Sequence, residues 1–394
     1  MATTEADRFS GAPRLLRGGA AAGLIGLVAW VACVVVDARR ALFALLTAYA
    51  WLASTLLGAL AFLMILHAAR AEWPVTVRRL LEGIVAAVPV LTLLFVPLAF
   101  GMGRLWPWAE GTPPEAISGV LAHHGAWWNP GFFFARAALY LGVWWLLAAL
   151  LRRWSLAQDA DGALHWTQKS ERLSAGGLVA LAFTLTFAAF DWVMSLTPAW
   201  FSSLFGLYVF AGGFVAALGL LLIVVARAHD LSGMAQVIAP GHYLSLGKLL
   251  FAQVVFWGYL AFSQYFIVWI AHVPREASWW APRAAGGWTD WSVVLALAHF
   301  VVPFALLLSR DLKRTPRGLS LVSGWLLVAH YLDVYWLVMP TLTPERPRPH
   351  VADLAALLFV GGTALVVGVM RARGLPLVAR RAPGWTFSSR YEGT

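Results

Sequence analysis

Apolar residues in this chain come in long unbroken runs, without the three-and-four spacing of a soluble helix or the alternation of a half-buried strand. Ten runs reach the length, about 20 residues, that crosses about 30 Å of hydrocarbon. They fall at roughly 18–36, 41–66, 80–100, 130–151, 173–194, 204–226, 245–271, 289–309, 318–340 and 351–370. The pattern predicts an all-α integral membrane protein, with an N-terminal tail at 1–17, a ten-span membrane domain at 18–371 and a C-terminal tail at 372–394. An even number of crossings puts both tails on one side.

Composition and charge sharpen this picture. The chain is 60% hydrophobic with a mean hydropathy of +0.73 and only 12% charged residues, against about 25% charged in soluble globules. Of its 29 Lys and Arg, 20 fall in the two tails and the loops after spans 2, 4, 6 and 8, and seven in the opposite loops. By the positive-inside rule both termini are expected to be cytoplasmic. The net charge of +10 then reflects basic loops facing anionic headgroups and calls for no nucleic acid. Arg14 and Arg17 precede the first run as they would in a signal peptide, but no small-residue cleavage site follows before VVVDARR, so the run reads as a span. Many of the 22 Trp, such as Trp106, Trp108, Trp279 and Trp288, stand at span ends, where aromatic belts belong.

Several chemistries are excluded. One cysteine, Cys33, cannot build an iron–sulfur cluster, a C-x-x-C-H haem attachment or a disulfide within the chain. The sequence has no P-loop, dinucleotide fingerprint or H-E-x-x-H. Its longest loops, at 101–129 and 152–172, are too short for a separate domain.

The informative residues are therefore polar groups at membrane depth. A charge at a helix centre costs about 2.5–3.5 kcal/mol on insertion scales, so such a residue faces the bundle interior and a partner. Toward the expected cytoplasmic face lie His67, Glu82, Lys248 and Gln253; in the middle and outer half lie Arg136, Asp191, Gln264, Tyr265, His299, His330, Asp333 and Asp353. His330 and Asp333 share a helix face at i, i+3, and Gln253, Trp257 and Gln264 form one stripe on the seventh span. A carboxyl group in apolar surroundings holds its proton to higher pH and an imidazole can carry one onward. Such residues suit a proton relay or a quinone headgroup, and equally serve as interhelical glue. His299 and His330, both near mid-membrane, also leave open axial ligation of a b-type haem.

Two blocks carry a resemblance. FDWVMSLTPAWFSSLFGLYVFAGG at 190–213 and LGKLLFAQVVFWGYLAFSQYFIVWIAHVPRE at 246–276 resemble the NrfD-like family of polysulfide reductase membrane subunits, and within it the ActF-type subunits of bacterial alternative complex III. Thr197 and Ala199 stand where that pattern commonly has an acid and a His. The resemblance implies two four-helix bundles with flanking helices, in the bacterial inner membrane. It implies a subunit that supports quinol oxidation and electron transfer to cytochrome c or a terminal oxidase, and that supplies a proton passage. No redox cofactor or metal is expected in this chain. A quinone, menaquinone or ubiquinone, is expected nearby, with iron–sulfur clusters and c-type haems in partner subunits, which include a related ActC-type membrane subunit, and with phospholipids around the whole.

On this reading Asp191, His299, His330 and Asp333 are expected to form the outer half of a proton route, with Asp191 exchanging protons at the outer end of span 5. Gln264 belongs to the same half, and Gln253, Lys248, Glu82 and His67 are candidate inner elements. Two other readings remain: a structural scaffold whose polar residues only glue helices, and a secondary transporter, for which Gly212 and Gly213, or Gly361 and Gly362, would mark broken helices.

Overall fold

The computed structural model describes residues 12–110, 115–231, 234, 237–271, 273–379 and 381–393. Residues 1–11 of the expected N-terminal tail, and Arg8 and Arg380 of the charge pattern, lie outside them. The described chain is helical with no strand, and ten helices are long and apolar enough to cross a membrane. It is a multi-pass membrane protein.

The spans are α1 (Ala12–Val36), α2 (Ala38–Ala68), α3 and α4 (Val75–Val85 and Val90–Phe100), α5 (Pro130–Asp161) and α6 (Leu164–Trp192). They continue with α7 (Phe205–Leu231), α8 (Pro240–Ala271), α9 and α10 (Gly287–Ala296 and Val302–Leu308, joined by a π-helical turn at Leu297–Val301), α11 (Pro316–Val338) and α12 (Val351–Ala372). Local chemistry sets the ends. Asp37 separates α1 from α2 and caps α2 by accepting the Arg40 N–H at 2.9 Å. Asn129 caps α5 ahead of Pro130, and Gly162, at φ +73°, closes α5 in the left-handed conformation. His350 and Asp353 form a reciprocal capping box at the start of α12.

Three segments differ from the apolar runs. The third span starts at Val75 rather than 80 and is interrupted by turns at 86–89, before Val90. The segment at 152–172, expected as a loop, is mostly helix: α5 and α6 run on past their apolar stretches and meet across 162–163, because charged residues there keep good helix propensity once clear of lipid. The C-terminal tail folds back: the Ser388 hydroxyl donates to the Trp73 carbonyl and accepts the Thr76 N–H, and the Tyr391 and Ser245 hydroxyls pair at 2.9 Å.

Helices α2 to α6 pack as one group and α7 to α11 as a second, each supplying four crossings; α1 lies against α12, which packs on α2. The two groups meet where α2 packs on α7 and α11, which makes α2 the most buried span. Small residues permit that crossing: a Cβ on Gly58 would lie 2.6 Å from the Gly213 carbonyl oxygen, and one on Gly213 would lie 2.4 Å from the Ser54 oxygen. Gly212, Gly213, Gly361 and Gly362 sit inside unbroken helices, so they mark no interrupted span.

Gly213→Val is expected to cost about 1–3 kcal/mol by overpacking the crossing, read as a drop in thermal unfolding temperature in detergent. Gly361→Val, which faces open space, is expected to leave that temperature within the change of about 0.5 kcal/mol usual for surface sites.

Candidate functional site

The polar residues gather into three separate places. The most central is built by α11, which carries His330 and Asp333 one turn apart, with Tyr208 from α7, Trp257 from α8, His299 from the π turn and Ser54 from α2. His299 is the thirteenth of 22 residues in its span, 287–308, so the group lies near mid-membrane. His330, Asp333 and His299 are each at most 1% exposed.

Asp333 accepts a hydrogen bond from the Tyr208 hydroxyl on one oxygen and from Trp257 Nε1, at 3.1 Å, on the other. His330 Nε2 lies 2.8 Å from Ser54 Oγ. Ser54 Oγ lies at the same 2.8 Å from the Ala50 carbonyl and 3.1 Å from the Trp51 carbonyl, so its one proton has three acceptors in reach. His330 Nδ1 lies 3.7 Å from Asp333 Oδ2 and has no hydrogen bond among the described residues. The imidazole nitrogen and the carboxylate oxygen thus face each other in a dry interior.

His299 lies over the Trp257 ring, 3.9 Å between centroids, with its ring 6.2 Å from that of His330. Neither of its nitrogens has a hydrogen-bond partner among the described residues. Its placement follows from backbone chemistry. Pro303, four residues on, lacks an N–H and crowds the His299 carbonyl, and the helix widens into a π turn, a feature frequent at functional sites. One residue of shift rotates a side chain by about 100°, here onto Trp257. Gly212 completes the fit, since a Cβ there would meet His330 Nδ1 at 2.8 Å and Asp333 Oδ2 at 3.1 Å.

The ligand atoms of His299, His330 and Asp333 lie within 4.8 Å of one another. Both Asp333 oxygens already accept hydrogen bonds, and the three side chains share one negative charge, so a divalent ion would leave a net charge in an apolar interior. A haem between the two imidazoles fits no better, because Trp257 and the α7 backbone at Gly212 occupy the space beside them.

The second place surrounds Asp191 in the other helix group. Arg136 forks onto the carboxylate at 2.8 and 2.9 Å, Tyr140 donates at 2.9 Å and Trp127 Nε1 at 3.1 Å. Arg136 is itself covered by Trp127 and Phe132, 4.1 and 4.4 Å from their ring centroids. Asp191 is buried, rather than opening on the loop that follows it, and the Ser195 hydroxyl bonds its carbonyl at 2.5 Å. Four donors, two of them from the one bidentate guanidinium, hold this carboxylate in place.

The third place joins α3 to α5. Glu82 takes Arg79 at 2.8 Å, Arg78 at 3.4 Å and the Ser155 hydroxyl at 2.8 Å, and Arg79 also binds Asp159. His67 stands nearby at the end of α2. The remaining sequence candidates lie along α8: Gln253 one turn before Trp257, Gln264 two turns beyond it, and Lys248 toward the start of the helix. Gln253 Oε1 and Gln264 Nε2 are buried without partners. Burial, and then the like charge of Lys248, push Lys313, in the turn before α11, below the usual lysine value.

Asp333, His330 and His299 are thus brought together, while Asp191 and the Glu82 network lie apart from them. Tyr208, Ser54, Tyr140 and Trp127 are partners that single-residue polarity had not picked out. Tyr208 is a lone hydroxyl in its apolar run, the one signal that could have found it, while Ser54 stands among Thr47, Tyr49 and Thr55 and had no such signal.

Fold and site together define a multi-pass helical membrane protein with a buried histidine–aspartate pair in its core. A scan against protein-family models finds none that matches the chain, and a search of curated proteins finds no match.

Because the Asp191–Arg136 pair is buried, Arg136→Leu is expected to cost about 3–5 kcal/mol by stranding the carboxylate, and Arg136→Leu with Asp191→Leu to recover most of that loss. Thermal unfolding of the single and double variants checks it.

Proposed function

We propose that the chain is an NrfD-like integral membrane subunit of a quinol-oxidising complex of the alternative complex III type, seated in the bacterial cytoplasmic membrane with both termini inside. In this role it passes protons, while electrons move through iron–sulfur clusters and c-type haems of partner subunits to cytochrome c or a terminal oxidase. The family part of the reading is supported by the sequence blocks at 190–213 and 246–276 and by the two four-span groups with a flanking pair. The orientation is supported by the asymmetry of positive charge.

One observation carries the proton part: His330 Nδ1 and Asp333 Oδ2 face each other at 3.7 Å with room for one proton between them. His299, with two unpartnered nitrogens, is the carrier on one side, and Gln253 and Lys248 lead from it toward the end of the bundle that holds the termini. The Tyr208 hydroxyl, bonded to Asp333, and then Gln264 continue toward the opposite end. A proton leaving the pair toward Tyr208 is replaced from His299, so no lasting charge builds up in the core. A quinol of the menaquinone or ubiquinone pool, oxidised beside the related ActC-type subunit, is the reaction that this route serves.

A second reading is favoured for the first helix group. Its ionisable residues are engaged in ion pairs, Asp191 with Arg136 and Glu82 with Arg79, as interhelical glue would be. There the chain acts as a scaffold, and Asp191, Glu82 and His67 leave the route.

In the intact complex, Asp333→Asn is expected to lower quinol-dependent turnover and its linked proton release by about 10²-fold or more, the scale of a lost proton-transfer group, with the complex still assembled. Quinol oxidation and proton release in proteoliposomes measure it. Unchanged rates in an assembled variant would remove the proton role, and loss of assembly in place of turnover would turn the second group into scaffold as well.

A further inference from the structure

The proton route uses the inward face of α8. Its opposite face is exposed among the described residues, and Val255, Tyr259, Phe262, Phe266 and Trp269 follow one another along it at spacings of three and four residues. Tyr259, Phe262 and Trp269 are each more than 60% exposed. Phe262 and Phe266 already stack at 5.4 Å, and Phe266 and Trp269 pair at 6.3 Å, so the ridge is ordered before anything meets it.

Lipid would cover a purely apolar ridge, but Tyr259 is not apolar. Its depth is set by its neighbours: Trp257, two residues earlier, touches His299 near mid-membrane, and Gly258, between them, packs on Phe300. Tyr259 is about 3 Å farther along the axis, too deep in a hydrocarbon layer about 30 Å thick for its hydroxyl to reach either headgroup region. Its hydroxyl has no partner among the described residues, and acyl chains offer none. The ridge's other donor, the Trp269 indole N–H, stands two residues from the end of α8, where the interface can satisfy it.

We infer that this face of α8 is the docking surface for a transmembrane helix of a different polypeptide, one that presents an oxygen acceptor to Tyr259 at mid-depth and small residues to either side. Large side chains project along the whole ridge, so close approach requires the holes to come from the partner. A second copy meeting this face across a two-fold axis would set ridge against ridge. The inference rests on the reading of the chain as a subunit and names the face by which it assembles.

A photo-crosslinking benzoylphenylalanine in place of Tyr259, activated in native membranes, tests it, with the same probe at Leu321, 77% exposed on α11, for comparison. The expected result is a covalent adduct to one transmembrane peptide of another polypeptide at position 259. Tyr259→Phe should reduce retention of that polypeptide severalfold during purification without changing the thermal unfolding of the isolated chain. Adducts to lipid only, or to a second copy of this chain, would overturn the inference. Lipid adducts from a chain that still co-purifies with other subunits would leave the subunit reading standing; lipid adducts from a chain that purifies alone would remove both.

Discussion

A polar atom in hydrocarbon has no water to turn to, and this constraint organises the molecule. Backbone groups meet it by helix formation throughout the spans. Side chains meet it by finding one another, and the ways they do so divide the chain into parts with different work. Around Asp191 and Glu82 the result is an ion-paired joint. Around His330 and Asp333 it is an imbalance, in which one imidazole nitrogen of His330 and both of His299 have no hydrogen bond among the described residues.

The imbalance at the centre is built by backbone geometry more than by side-chain choice. Pro303 widens the helix and turns His299 onto Trp257. Gly212 lets α7 approach closely enough for Tyr208 to reach Asp333. Ser54, on the most buried helix, pins the far nitrogen of His330 and so decides which nitrogen faces the carboxylate. Remove any of these and the same two titratable residues would be ordinary interhelical contacts.

The same logic reaches the periphery. Aromatic residues at the span ends do two jobs: some lie in the belt expected of a membrane protein, and others cover charge, as Trp127 and Phe132 do over Arg136 and Trp279 does over Arg283, 3.4 Å from its guanidinium carbon. Arg283 donates to the Trp279 and Leu337 carbonyls, tying the connection before α9 to the end of α11. Abundance of Trp therefore says less than its placement.

Hydrophobic runs by themselves determined the number of spans and the helical class, because span length answers to bilayer thickness and nothing tertiary can change that. Of the polar residues they singled out, Asp191, His299, His330 and Asp333 are buried while Lys248 and Tyr265 are exposed. The runs placed His330 beside Asp333, since residues three apart on a helix share a face. They could not divide Asp191 from Asp333. Both are lone acids in apolar helices, and only the packing of α5 against α6 gave one its arginine while the packing of α7, α8 and α11 left the other facing an imidazole. The π turn at His299 and the break at 86–89 were likewise invisible, because a run of apolar letters reads the same whether the helix beneath it is continuous, widened or interrupted.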